Sequence, residues 1–117
     1  MTNYDKSLEK IESLAELYDY YGVLLTQKER LVIVKFVEEG LSAAEIAEDM
    51  RCSRQGIYDT LLRIEKKLNS FERKLGILKR DKLLLDYLQS VNNAFPEKER
   101  EEIKNLILKI GGDYSGS

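Results

Sequence analysis

What most restricts the fold of this chain is a tandem pair of helix-start signals, Thr26 with Glu29 and Ser42 with Glu45, with Gly40 between them. In each, a hydroxyl accepts from the amide three residues on, and the Glu there reaches back to the cap's own amide. Two unpaired donors of a helix start are satisfied at once. The run Leu31-Val32-Ile33-Val34-Lys35-Phe36-Val37 is rich in β-branched residues and alone suits a strand. The cap before it and the glycine at a helix C-cap position overrule that and predict a helix. A short helix follows from Ser42 to about Met50, with Leu41 and Ile46 placed as a hydrophobic staple. Ser53 caps the next helix, which opens at Arg54. Two short helices joined by a tight turn make a helix-turn-helix, here within residues 25–68. Its turn, Arg51-Cys52, puts an arginine where positive φ is often needed, at roughly 1 kcal/mol of strain.

The flanks are helical as well. Residues 3–21 carry Tyr4, Leu8, Ile11, Leu14, Ala15, Tyr18 and Tyr21 at three- and four-residue spacing, an acidic amphipathic helix that Gly22 ends. Beyond Arg54, the residues Ile57, Leu61, Ile64, Leu68, Phe71, Leu75 and Leu78 form a coiled-coil-type seam; Lys82 interrupts it and Leu85 resumes it. This seam either packs on the chain's own helices or forms a homodimer interface through Leu68, Phe71, Leu75, Leu78 and Leu85. Gly76 is the point at which so long a helix could bend or end. After Asn92-Asn93, Pro96 suits the first position of a last helix, with Glu97 and Glu99 in its first turn. Ile103, Leu106, Ile107 and Ile110 form its stripe, and Gly111-Gly112 ends it. The expected organisation is all-α: a helix-turn-helix domain with its N-terminal helix over residues 1–69, a C-terminal helical extension over 70–112, and a disordered tail over 113–117. Lys28-Glu29-Arg30 with Ile33 recurs as Lys98-Glu99-Arg100 with Ile103, an echo that two similar helix starts can produce by chance.

The chemistry available is narrow. There is no histidine and one cysteine, Cys52, in 117 residues. That removes the common metal sites, the usual general base and an internal disulfide, and a lone cysteine suits the cytoplasm. No glycine-rich phosphate loop is present. The acidic pairs Glu38-Glu39 and Glu101-Glu102 sit in solvated helical contexts. The expectation is a non-enzyme without cofactor or metal, with no signal peptide and no membrane insertion.

The net charge of −2 does not pull the whole chain onto nucleic acid, but residues 51–67 hold five basic and two acidic side chains. In a helix-turn-helix, the N-terminal side chains of the second helix meet base edges. If Ile57, Leu61 and Ile64 face inward, the outward face opens with Arg54, Gln55, Tyr58 and Asp59. Arg54 suits guanine and Gln55 adenine. Arg63, Lys66 and Lys67 are candidate phosphate contacts. Tyr58 either stacks on an unpaired base, which favours RNA, or covers the core. Asp59 works against phosphate contact.

The Lys28-Glu29-Arg30 opening, Glu39-Gly40-Leu41-Ser42, Glu45-Ile46-Ala47-Glu48, Ser53-Arg54 and Arg63 resemble region 4 of bacterial sigma factors. Tyr58-Asp59 departs from the basic recognition helix of that group. So short a chain is also not expected to hold a separate domain for the promoter −10 element. Over nearly its whole length, strongest in the helix-turn-helix with Ser53-Arg54-Gln55-Gly56-Ile57-Tyr58-Asp59 and Arg63-Ile64-Glu65-Lys66, the chain is similar to the YlxM family. These are small all-helical bacterial proteins whose genes typically lie beside those of the signal recognition particle GTPase or its receptor. The resemblance implies a sigma region 4-like fold with a long recognition helix and further C-terminal helices. It also implies an accessory role in co-translational targeting, with the particle's GTPase and RNA as partners. The alternatives are a sequence-specific regulator of duplex DNA and a protein-interaction module that no longer binds nucleic acid.

Overall fold

The computed structural model describes residues 8–112. They form α1 (Leu8–Tyr21), α2 (Gln27–Val37), α3 (Ala43–Met50), α4 (Arg54–Leu75), α5 (Ile77–Asn93) and α6 (Glu97–Gly112), with one 3-10 turn at Gly22–Leu24. Tyr4 and the expected start of the first helix lie outside the described residues, as does the tail expected over 113–117. Both capping boxes are closed. The Glu29 amide donates to the Thr26 hydroxyl at 3.2 Å and the Thr26 amide to Glu29 at 2.9 Å. Ser42 and Glu45 repeat the pattern. The β-branched run therefore lies in α2, as its caps predict.

Helices α1 to α4 enclose the core. Leu14, Leu17 and Tyr21 of α1, Val32, Ile33 and Phe36 of α2, and Ala43, Ile46 and Ala47 of α3 converge on Ile57, Leu61, Ile64 and Leu68 of α4. Gly22 is a packing glycine. A Cβ there would sit 2.6 Å from the Tyr18 ring, which lies over the α1 terminus.

The seam on α4 does not continue as one helix. Gly76 takes a left-handed conformation, φ 63°, and its amide closes α4 onto the Glu72 carbonyl at 2.8 Å. α4 runs unbroken past residue 69 to Leu75, and the break in the helix lies at Gly76. The start of α5 is tied back to the core. The Glu72 carboxylate accepts from the amides of Leu78 (3.2 Å) and Lys79 (3.1 Å) and from the Tyr21 hydroxyl. That hydroxyl in turn accepts from the Ile77 amide at 3.2 Å. Glu72 thus caps α5 from the preceding helix. Burial pushes its carboxyl up, but the Tyr21 hydroxyl and the two amides prevail and hold it below the usual range. One turn on, buried Asp81 accepts from the Tyr20 hydroxyl at 2.8 Å.

Beyond that root the chain leaves the core. α6 rests chiefly on α5, no described side chain of α6 is buried, and the molecule is 58 Å long by 27 and 26 Å across. Pro96 stands one residue before α6, where its carbonyl accepts from the Arg100 amide at 3.0 Å.

Candidate nucleic-acid interface

The turn between α3 and α4 sets the aim of the recognition helix. Arg51 adopts φ 56°, ψ 46°, the left-handed conformation its position requires. Its amide donates to the Glu48 carbonyl (3.3 Å) and the Cys52 amide to Ala47 (2.9 Å), which is the Schellman closure usually built on glycine. Ser53 then accepts from the Gly56 amide at 3.0 Å and starts α4. Ile57, Thr60, Leu61, Ile64 and Leu68 point into the core, so the opposite face is fixed towards solvent. Thr60 belongs on the inner face because its hydroxyl donates back to the Gly56 carbonyl at 2.8 Å.

The outward face holds the residues expected there, in altered roles. Arg54 and Lys66 are exposed and have no partner among the described residues. Gln55 is exposed, and its side-chain amide donates to Asp59 at 2.9 Å. To read an adenine edge it has to release that acceptor. Tyr58 is half-buried against the core, the second of the two roles its position allowed, so its ring is not a freely standing platform.

Arg63 and Lys67 depart most from expectation. Both are turned towards α2, where Glu29 is buried at 2% exposure. Arg63 Nε donates to Glu29 Oε2 at 3.1 Å, and Lys67 Nζ lies 3.0 and 2.9 Å from the two carboxylate oxygens. Burial alone would push this carboxyl up. The Thr26 amide, Lys67 and Arg63 outweigh it and bring the pKa from 4.5 down to about 2. Both cations keep solvent access, but their charge is largely spent within the fold. Their availability as phosphate contacts is reduced, for the physical reason that a buried carboxylate must be paired.

The Thr26–Glu29 spacing gives Glu29 only as half of a capping box, and its second role as the partner of Arg63 and Lys67 is visible only in the tertiary structure. So is the extent of the charged face along α4. A shallow groove along α4 sets Arg63, Lys66 and Arg73 beside the acidic Asp59 and Glu65, and a second hollow continues past Glu72 and Arg73 to Lys79 at the start of α5. Lys66 and Arg73, seven residues apart, share one helix face, and that spacing was the available signal.

The dimer seam is corrected by burial. Leu68 is fully buried in the chain's own core, and Phe71 and Leu78 pack against that core. Leu85 is half-buried, and Leu75 alone of the five is exposed. The part of the seam that fills the chain's own core, Leu68 with Phe71 and Leu78, is not available to a partner. Among the described residues no group of His, Cys, Asp and Glu could hold a metal ion, and no helix is long and apolar enough to cross a membrane.

A family model for helix-turn-helix proteins of the YlxM/p13 type, UPF0122, matches residues 8–107. A UPF0122 protein of Thermoanaerobacter sp. strain X514 is 41% identical over 98 residues, covering 80% of this chain and 84% of its own. One from Clostridium botulinum strain Alaska E43 is 33% identical, covering 85% of this chain and all of its own. One from Bacillus cereus strain AH187 is 34% identical, covering 88% and 96%. No solved structure gives a significant match.

Proposed function

The chain belongs to the YlxM/p13-like helix-turn-helix family, UPF0122, and from that premise we propose that it is a nucleic-acid-binding accessory protein of the signal recognition particle. In this proposal it acts in the cytoplasm and engages the particle's RNA, its GTPase or both. The observation that carries the nucleic-acid half is the solvent face of α4. Arg54, Lys66 and Arg73 stand there without partners among the described residues, and Lys79 continues the line. Cations that the fold does not use internally are the ones free to release counterions from phosphates. The similarity to YlxM proteins supports the link to the particle.

The test is binding of the purified protein to signal recognition particle RNA and to a mixed duplex DNA pool, at two salt concentrations, with and without the GTPase subunit. The informative variants are Arg54→Glu and Lys66→Glu, because reversing Arg63 or Lys67 would also strand the buried Glu29. Selective RNA or particle binding that the two reversals weaken supports the proposal. Undiminished binding by both variants, or no binding to RNA or GTPase, refutes it. The runner-up is a sequence-specific DNA regulator, favoured by the tight α3–α4 turn that leaves the start of α4 open to a major groove. It requires duplex selectivity with a steep loss of affinity as salt rises.

A further inference from the structure

With most of the α4 seam packed on the core, an open apolar stripe remains on the hairpin of α5 and α6, beside exposed apolar side chains elsewhere such as Val23, Leu24, Leu31 and Leu75. The half-buried Leu85 and Leu88 on α5 and Ile103, Ile107 and Ile110 on α6 mark the faces these helices turn towards each other. At 3.6 residues per turn, Leu84, Tyr87 and Val91 project to one side of that contact, and Leu106 projects to the same side from the antiparallel α6. Tyr87 is 66% exposed, Leu106 47% and Leu84 42%. Two helices alone cannot cover such a stripe, and in a folded domain a third layer normally does.

The charges at the two ends of this flank identify what covers it. Near the root stand Arg80, which reaches its neighbour Asp81 only at 3.5 Å, and Lys109. Near the tip stand Glu99 and Glu102, both exposed. The flank therefore reads basic, apolar, acidic from root to tip. A surface of that order is complementary to itself when turned through a two-fold axis, which sets each basic end against an acidic end and apolar centre against apolar centre.

We propose that a second copy of this chain docks on the α5–α6 flank, antiparallel and two-fold, with Leu84, Tyr87 and Leu106 at its centre and Arg80 and Lys109 facing Glu99 and Glu102 of the other copy. The pairing makes a four-helix layer and leaves the two helix-turn-helix units at opposite ends. It does not depend on the assignment of the nucleic acid.

Sedimentation equilibrium of the full chain tests it. The wild type is a dimer at micromolar concentration. Tyr87→Glu dissociates it with helicity retained, measured by circular dichroism. Glu99→Lys with Glu102→Lys weakens association by about tenfold or more, since each like-charge contact occurs twice. Adding Arg80→Glu and Lys109→Glu to that variant restores it. A wild type that stays monomeric at high micromolar concentration overturns the proposal. So does a dimer that neither Tyr87→Glu nor the charge reversal weakens.

Discussion

Glu29→Gln isolates the charge at the centre of the α2–α4 contact. Glutamine keeps the volume and the side-chain acceptor that closes the capping box with Thr26. What is lost is the charged partner of Arg63 and Lys67. A fall in pKa from 4.5 to about 2, at about 1.4 kcal/mol per unit, corresponds to about 3 kcal/mol of differential stabilisation. Half-exposed partners make that an upper figure, and about 2 kcal/mol is expected at neutral pH. The folded pKa is depressed, so this stability is fully present above the unfolded value near 4.5 and is lost as pH falls towards 2. Urea unfolding at neutral pH and at steps down through this window gives the difference between wild type and variant directly. That difference should shrink steadily with acidification and close near pH 2. A neutral-pH difference below about 0.5 kcal/mol, within the ordinary range of surface substitutions, would refute the account of Glu29 as a paired buried charge. So would a difference that does not change through the acid window.

Three other substitutions probe neighbouring features. Tyr21→Phe removes the hydroxyl shared by Glu72 and the Ile77 amide and should cost about 1–2 kcal/mol; amide exchange at the start of α5 should accelerate more than exchange in α3. Gly22→Ala drives a methyl into the Tyr18 ring and should cost about 1–3 kcal/mol in chemical denaturation. Arg51→Gly relieves a left-handed arginine and should raise stability by about 0.5 kcal/mol, the strain relieved exceeding the added chain entropy of glycine.

Much of the α1–α4 unit was legible from local chemistry alone. The caps at Thr26, Ser42 and Ser53, and the left-handed turn at Arg51, involve groups within a few residues of one another. Their partners can be read from spacing. The inner face of α4 was equally plain, because Ile57, Leu61, Ile64 and Leu68 repeat with the helix. The fate of Arg63 and Lys67 was not legible. Their partner is more than thirty residues away, and nothing in the pattern shows which helix face α2 presents to α4. The internal packing of Leu68, Phe71 and Leu78 was not legible for the same reason: heptad spacing states that a stripe will be buried, but not against what.

The echo between α2 and α6 separates the two kinds of information. Lys28-Glu29-Arg30 and Lys98-Glu99-Arg100 are the same tripeptide near a helix start. The sequence by itself determined that both segments are helical, where each begins, and that each carries an apolar stripe three residues further on, at Ile33 and Ile103. Tertiary structure alone decided that Glu29 is buried between two cations while Glu99 stays in water. Helix formation depends on hydrogen bonds and rotamers within one turn, whereas the cost of a charge depends on which distant surfaces close over it.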